Sequence, residues 1–308
     1  MQLKLPRHSR YDYSPIVARN DYSWPDEKRL AFCITTNLEC WAFGKGKGHD
    51  NAIIGARQSQ RNYSWRDYGN RVGIWRLFDL FDELKLPLAH NVNSLLYDYA
   101  PPIFDVIRRR GDEIVAHGRT NSEALDDFSW EADEARVIKE CTDAYIEHEA
   151  IIPTGWMGPA GAVENSTSVD LIKEAGYRYI MDWPCDDQPF WMNTRSGPIL
   201  SVPYPVELND IPQVVNRHHT AREMCEMIVD QFDEMVEQCA KQPLVMNISL
   251  HPFVFGQPFR LRALRAALRH CVEHELKDRV WFCKPGDVAD YCYTLPPGTL
   301  PGNGPAAA

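Results

Sequence analysis

From about residue 29 to residue 293, short apolar runs alternate with longer stretches whose apolar residues recur every three or four positions. The runs predict strands at Leu30–Thr36, Leu86–Asn91, Glu113–His117, Pro153–Trp156, Tyr177–Asp182, Ile199–Tyr204, Leu244–His251 and Arg279–Lys284. Helical spacing covers 70–85, 102–110, 130–149, 166–175, 219–240, 260–276 and 286–293. The stretch NSTSVDLIKEAGY shows the signals in order: a capping residue, an apolar stripe, and a stop at Gly176. Repeated strand–helix units of this length imply a parallel sheet with both faces covered. No Gly-rich dinucleotide turn follows the first strand, which favours a closed barrel over an open sheet. The expected fold class is α/β, a distorted (β/α) barrel of 7–8 parallel strands over residues 29–295. Residues 1–28, rich in Tyr, Pro, Asp and Arg, read as an N-terminal arm, and 296–308 as a flexible tail. Tyr11, Tyr13, Tyr22 and Trp24 of the arm lie exposed unless something covers them, which points to packing against a neighbouring subunit.

Composition narrows the function classes. With 308 residues, 44% of them hydrophobic, the chain can bury one large core. A net charge of −10 argues against a nucleic-acid partner, which wants a basic face. No run of roughly 18 apolar residues exists to span a membrane. The polar start, MQLKLPRHSRYDYSP, lacks the apolar centre of a secretory signal, so a cytoplasmic location is expected. Nine cysteines without CxxC pairs read as reduced, buried thiols, not a structural zinc site. Neither GxSxG nor HExxH is present, which removes two common hydrolase classes. The loop FGKGKGHD lacks the spacing of a phosphate loop and reads as a mobile surface loop or lid.

In barrels of this kind the working residues stand where strands end at their C-terminal side. That rule selects Asn37 and Glu39 after the first strand, and His117, Arg119, Asn121 and Ser122 after the third. It adds Trp156, then Asp182 and Trp183, then Glu207 with Asn209 and Asp210, and finally His251. Each has a bland alternative: a lone histidine is more often a hydrogen-bonded core residue, and Trp156 and Trp183 more often core than platform. Two histidines and a carboxylate on one rim shift the balance towards acid–base chemistry. His270 and His274, four apart in HCVEHE, have the spacing of a metal clamp. Flanking Glu273 and Glu275, with no third ligand evident, favour a solvated helix face there.

These residues resemble the polysaccharide-deacetylase family, and within it the allantoinase-like and cyclic-imide hydrolase branch, from about Arg10 to Tyr293. RYDYSPIVARNDYSWPDEKRLAF is similar to that branch's arm and first strand, ITTNLE to the family's first acidic motif, and GDEIVAHGRTNSE to its His-x-x-x-His motif. PTGWMGP, DWPCDDQPFW, VPYPVELND and SLHPFVFGQPFRLRAL resemble later loops of the branch, the last being the most specific. The resemblance implies a barrel of polysaccharide-deacetylase type and a hydrolase acting on non-peptide C–N bonds. Members typically bind a divalent metal through an Asp and two histidines. Here Glu39 stands for the acidic ligand and His117 for the first histidine. Asn121 replaces the second histidine and Asn37 the usual base Asp. An Asn oxygen is a poor zinc ligand, so the resemblance implies a site without a metal, with zinc or another divalent ion on Glu39 and His117 as the alternative.

The implied scheme for a small cyclic amide, imide or ureide uses Glu39 or His117 as general base. Asn37, Asn121 or backbone N–H groups hold the oxyanion, and His251 protonates the leaving nitrogen. Trp156, Trp183 and Phe253 are expected to wall the pocket, with Asp182, Glu207 and Ser122 as further substrate contacts. Two other readings stand behind this one: a metal-dependent N-deacetylase of sugars or peptidoglycan, and a non-catalytic ligand-binding relative. The branch's members are homo-oligomers, so a homodimer or homotetramer is expected.

Overall fold

A computed structural model describes residues 7–44 and 60–305. Its strands are β1 (Leu30–Leu38), β2 (Ala89–Val92), β3 (Glu113–Ala116), β4 (Gly155–Trp156), β5 (Tyr179–Ile180), β6 (Phe190–Met192), β7 (Ile199–Ser201), β8 (Leu244–Leu250) and β9 (Val280–Phe282). The sequence LAFCITTNL makes β1 a strand buried on both faces, and all its residues are buried. It is the hub of the sheet, pairing with β8 on one side and with β2 and β9 on the other. The strand path is β6-β7-β5-β4-β3-β2-β1-β8, parallel throughout except between β6 and β7. Its two ends curl together through irregular backbone in place of a ladder. Val245 N–H donates to Asp187 O at 2.8 Å and Ser249 N–H to Leu208 O at 2.9 Å. This is the distorted barrel that the strand–helix alternation predicts.

The helices are α1 (Gln60–Tyr68), α2 (Ile74–Leu84), α3 (Leu96–Tyr99), α4 (Pro101–Arg110), α5 (Glu131–Glu149), α6 (Pro159–Ala162), α7 (Ser168–Glu174), α8 (Ala221–Gln238), α9 (Pro252–Phe255), α10 (Pro258–Glu273) and α11 (Pro285–Cys292). Their buried faces follow the sequence stripe. In α2, for example, Ile74, Leu77, Phe78, Leu80 and Phe81 face the core. Between α1 and α2 a π-helical turn, Gly69–Gly73, presses directly on α9. A methyl at Gly73 would lie 2.0 Å from Pro252 O, so only glycine seats α9 there. That contact fixes the start of α9, immediately after His251. Among the described residues no helix is long and apolar enough to cross a membrane. The cysteines are free thiols, all buried except Cys40 and Cys185.

Each expected strand and helix is present, but three readings change. The antiparallel strand β6 was not expected, because Phe-Trp-Met is too short a run to stand out from the loops around it. The arm does not wait for a partner: it is laid on its own barrel. Arg10 grips both oxygens of Asp170 at 2.7 Å, and Arg19 those of Asp186 at 2.7 and 2.6 Å. Trp24 is buried and donates from Nε1 to Leu244 O at 3.1 Å, while Tyr11 meets Trp183 and Phe190 edge-on. Of the arm's aromatic side chains only Tyr13 stays fully outside, at 90% exposure, which removes the argument that the arm needs a second subunit. The expected flexible tail is also docked: Leu300 is buried, and Trp191 N–H on β6 donates to Pro301 O at 2.8 Å. Residues 306–308 and 45–50 of the FGKGKGHD loop lie outside the described residues.

The Arg19–Asp186 clasp is nearly buried, so its loss strands a carboxylate. Arg19→Ala is expected to lower the unfolding free energy by about 1.5–3 kcal/mol in urea titrations. An unchanged midpoint would show that the arm is not docked in solution.

Candidate active site

The C-terminal ends of β1, β3, β5, β7 and β8 open onto a cavity of about 560 Å³ lined by Asn37, Glu39, His117, Asn121, Asp182 and His251, among others. His251 follows the last residue of β8, where Pro252 starts α9 and turns the chain. Asp210, fully buried, holds it twice: the His251 N–H donates to Oδ2 at 2.7 Å and Nδ1 faces Oδ1 at 2.6 Å. On the other ring edge, Nε2 lies 3.2 Å from Glu39 Oε1. Burial alone would discharge this imidazole, but Asp210 and then Glu39 outweigh it and raise its pKa to about 9. Burial likewise works against ionised Glu39, yet the His251 charge and hydrogen bond, helped by Arg66, bring it down to about 2. For Asp210 burial wins, and its pKa is raised despite His251.

Arg66 completes the charge balance. From α1 its Nη1 stands 3.6 Å from Glu39 Oε2, and its guanidinium stacks 3.9 Å from the Trp41 ring centroid. Trp41 Nε1 donates to the same carboxylate oxygen at 3.0 Å. Two carboxylates, one imidazolium and one guanidinium thus sum to neutral in a buried cluster, which is what makes their burial tolerable. Arg66 Nη2 is itself buried without a hydrogen-bond partner.

His117 is a different histidine. It directly follows β3, and its Nδ1 lies 2.7 Å from Met157 O; a carbonyl can only accept, so Nδ1 carries the hydrogen and Nε2 keeps its lone pair. Burial lowers its pKa, which leaves it a neutral base beside a protonated His251. Asn37 belongs to the cavity floor: its amide donates to Ser249 Oγ at 3.0 Å and Leu250 O at 3.3 Å, and its oxygen accepts from Asn91 and Tyr204. Asn121 has its oxygen taken by Ala160 N–H at 2.9 Å, so its amide hydrogens are what it can offer a ligand. Asp182 accepts from Gly158 N–H at 2.7 Å through Oδ1. Burial raises its pKa to about 7, and raises that of neighbouring Glu164 well above the carboxylate range.

The same architecture is found in solved proteins. PuuE allantoinase superposes with a TM-score of 0.80 at 24% identity, covering 94% of this chain and 98% of its own. A probable polysaccharide deacetylase from Pseudomonas aeruginosa gives 0.77 at 24% identity, over 88% and 93% of the two chains. The chain has the polysaccharide-deacetylase fold. A Schizosaccharomyces pombe protein named "Putative polysaccharide deacetylase" is 24% identical over 239 residues, 72% of this chain and 73% of its own. No protein-family model matches the chain.

Within this polysaccharide-deacetylase barrel, the position implied for a divalent metal does not fit one. Glu39 Oε1 is committed to His251, and Oε2 to Trp41 and Arg66. The Asn121 oxygen accepts from Ala160, and the Asn37 oxygen from Asn91 and Tyr204. Two cations already face the one carboxylate. His117 Nε2 alone remains as a free, good donor, and one imidazole does not hold zinc.

The structure brings Glu39, Asn37, His117, Asn121, His251 and Asp182 to one cavity, but not the other expected contacts. Trp156 is wholly buried in the core against Tyr177, because the side chain of a strand residue faces either the lumen or the helices. Trp183 is covered by the arm residues His8 and Tyr11. Phe253 is buried between Trp65 and His251 and carries Arg66 from behind. Glu207 points to the surface, paired with Arg217, and Ser122 Oγ accepts from Ala42 N–H as a loop brace. Sequence reasoning named Asp210 only as a rim neighbour, and it missed Arg66, Trp41 and Glu164. Arg66 lies in a helix without any motif, so only the fold could reveal it.

Two other features lie outside this cavity. His270 and His274 gain a third neighbour in Asp233 of α8, at 2.6 and 3.5 Å. The His274 Nδ1 accepts from Leu276 N–H at 3.0 Å, so its Nε2 carries the hydrogen and points it at Asp233. The three side chains thus form a hydrogen-bonded cluster between α8 and α10, away from the strand-end cavity. A larger groove of about 1050 Å³ between α8 and α10 is lined by helix and turn residues alone and reaches none of the strand-end groups.

Proposed function

We propose that this chain hydrolyses a C–N amide bond in a small cyclic amide, imide or ureide, using acid–base groups and no catalytic metal. The observation that carries the reading is His251, charged and held between Asp210 and Glu39 at the wall of a 560 Å³ cavity. In the proposed reaction His117 Nε2 takes a proton from water as its oxygen bonds to the carbonyl carbon. Asn121 and Arg66 hydrogen-bond the developing oxyanion. The C–N bond then breaks as His251 Nε2 delivers its proton to the nitrogen, leaving an acid at one end of the opened chain and at the other an amine from a cyclic amide, an amide from an imide, or a ureido group from a ureide. Glu39 keeps His251 protonated and is too weakly basic beside two cations to be the better base.

A polymeric sugar would want an open groove with aromatic platforms. Among the described residues this cavity offers Trp41 and Tyr204. A purely binding relative would have turned Glu39 or His251 away, and both line the cavity. Ring opening of a cyclic imide or ureide is expected to survive exhaustive chelation unchanged, followed by loss of the ring chromophore. Activity that disappears with chelator and returns with zinc would instead favour the N-deacetylase reading.

A further inference from the structure

The turn that forms one wall of the cavity is strained and has to be held. Ala160, Gly161 and Ala162 follow one another at φ of 56°, 81° and 55°, and all three line the cavity. For the two alanines the left-handed region is a strained conformation, because Cβ crowds the following carbonyl oxygen. Two anchors keep the turn in place from outside: Ala160 N–H on the Asn121 oxygen and Gly158 N–H on Asp182 Oδ1. The end of the turn is Glu164. Its Oε1 and the Oδ2 of Asp182 are both sealed from solvent without a hydrogen-bond partner. A methyl on Gly158 would come within 2.7 Å of that Glu164 oxygen, so the carboxyl is tucked directly beneath the turn.

Two orphaned acceptors in contact with one anchor point have a simple resolution. One proton between the two carboxyls satisfies both oxygens and removes the repulsion that two buried charges would create. Of the influences on Glu164, burial comes first and, with Asp182 and Glu134, disfavours its charge, while the Trp156 indole N–H acts the other way and is outweighed. Both oxygens of Glu134 already accept hydrogen bonds, from Asn165 and Ser168.

We infer that Glu164 is a positioning residue, which shares one proton with Asp182 and thereby holds the strained 158–164 turn so that Ala160 N–H orients Asn121 towards the reacting carbonyl. Glu164 touches no substrate. It acts through the turn, and the inference rests on the hydrolytic reading only where activity is used as the readout.

The test is a double-mutant cycle with an independent spectroscopic arm. Glu164→Ala is expected to lower kcat by about 10–100-fold, as for a displaced positioning contact. In an Asn121→Ala background the same change is expected to have no further effect, because its target is gone. Glu164→Gln, which donates to Asp182 from its amide, is expected to restore kcat to within about 3-fold of the parent. Infrared difference spectra of the protein at neutral pH, parent minus Glu164→Gln, should show a protonated-carboxyl band belonging to the pair. Equal losses from Glu164→Ala in both backgrounds would overturn the inference, as would absence of the infrared band. An Asn121→Ala variant with full activity would count against the hydrolytic scheme instead, with the infrared result still deciding the shared proton.

Discussion

Replacing His251 with alanine is expected to lower kcat/KM for ring opening by about 10²–10⁴-fold, the range typical for loss of a general acid. The change also strips Asp210 and Glu39 of the cation they share, so some loss of stability is expected with it, and activity is to be compared on protein shown to be folded by circular dichroism. The pH dependence is the sharper readout. The folded-state pKa of His251 is raised from 6.5 to about 9. Its proton is therefore fully present below pH 6.5, and is lost as pH rises through about 9. The parent should show kcat/KM falling above pH 9, and the stabilising ion pair with Asp210 and Glu39 should fade over the same interval. Neutral His117, with a lowered pKa, places the acid limb below 6.5. In His251→Ala the alkaline limb should vanish along with the activity. A parent profile flat from pH 7 to beyond 10 would remove His251 from the acid role.

Trp156→Ala is expected to be the most destabilising single change, costing about 3–5 kcal/mol by loss of packing and creation of a cavity. Trp156 has no exposed surface and meets Tyr177 edge-on, at 5.2 Å between ring centroids. Urea or thermal unfolding measures the cost. In the fraction that remains folded, KM should stay near the parent value because the indole does not line the cavity. A raised KM with unchanged stability would return Trp156 to the pocket wall.

Much of the fold is legible in the chain without coordinates. The period of apolar residues reports local structure, since alternating faces and helical stripes are set within a few residues. Runs such as LAFCITTNL and LVMNISL, apolar on both faces, announce strands at the centre of a covered sheet. The rule that strand ends carry the chemistry then places Glu39, His117, Asn121 and His251 on one rim, and all four line the cavity. Phe-Trp-Met of β6 escapes the same reasoning, because a three-residue edge strand carries too little pattern to be distinguished from a loop.

What pairs with what is another matter. Whether Trp156 faces lumen or helix depends on a register that a two-residue strand does not declare. Asp210 reaches His251 from 41 positions away, and Arg66 reaches Glu39 from a helix with no motif. The arm and the tail look free in the sequence because their partners, Asp170, Asp186 and Trp191, lie far along the chain. The sequence by itself determined the strand–helix alternation, the barrel class and the titratable groups at the strand ends. Only the tertiary structure decided which of them are charged, which donors are already spent, and which carboxyls are left to share a proton. Those properties follow from burial and from contacts between residues distant in the chain, which no local pattern encodes.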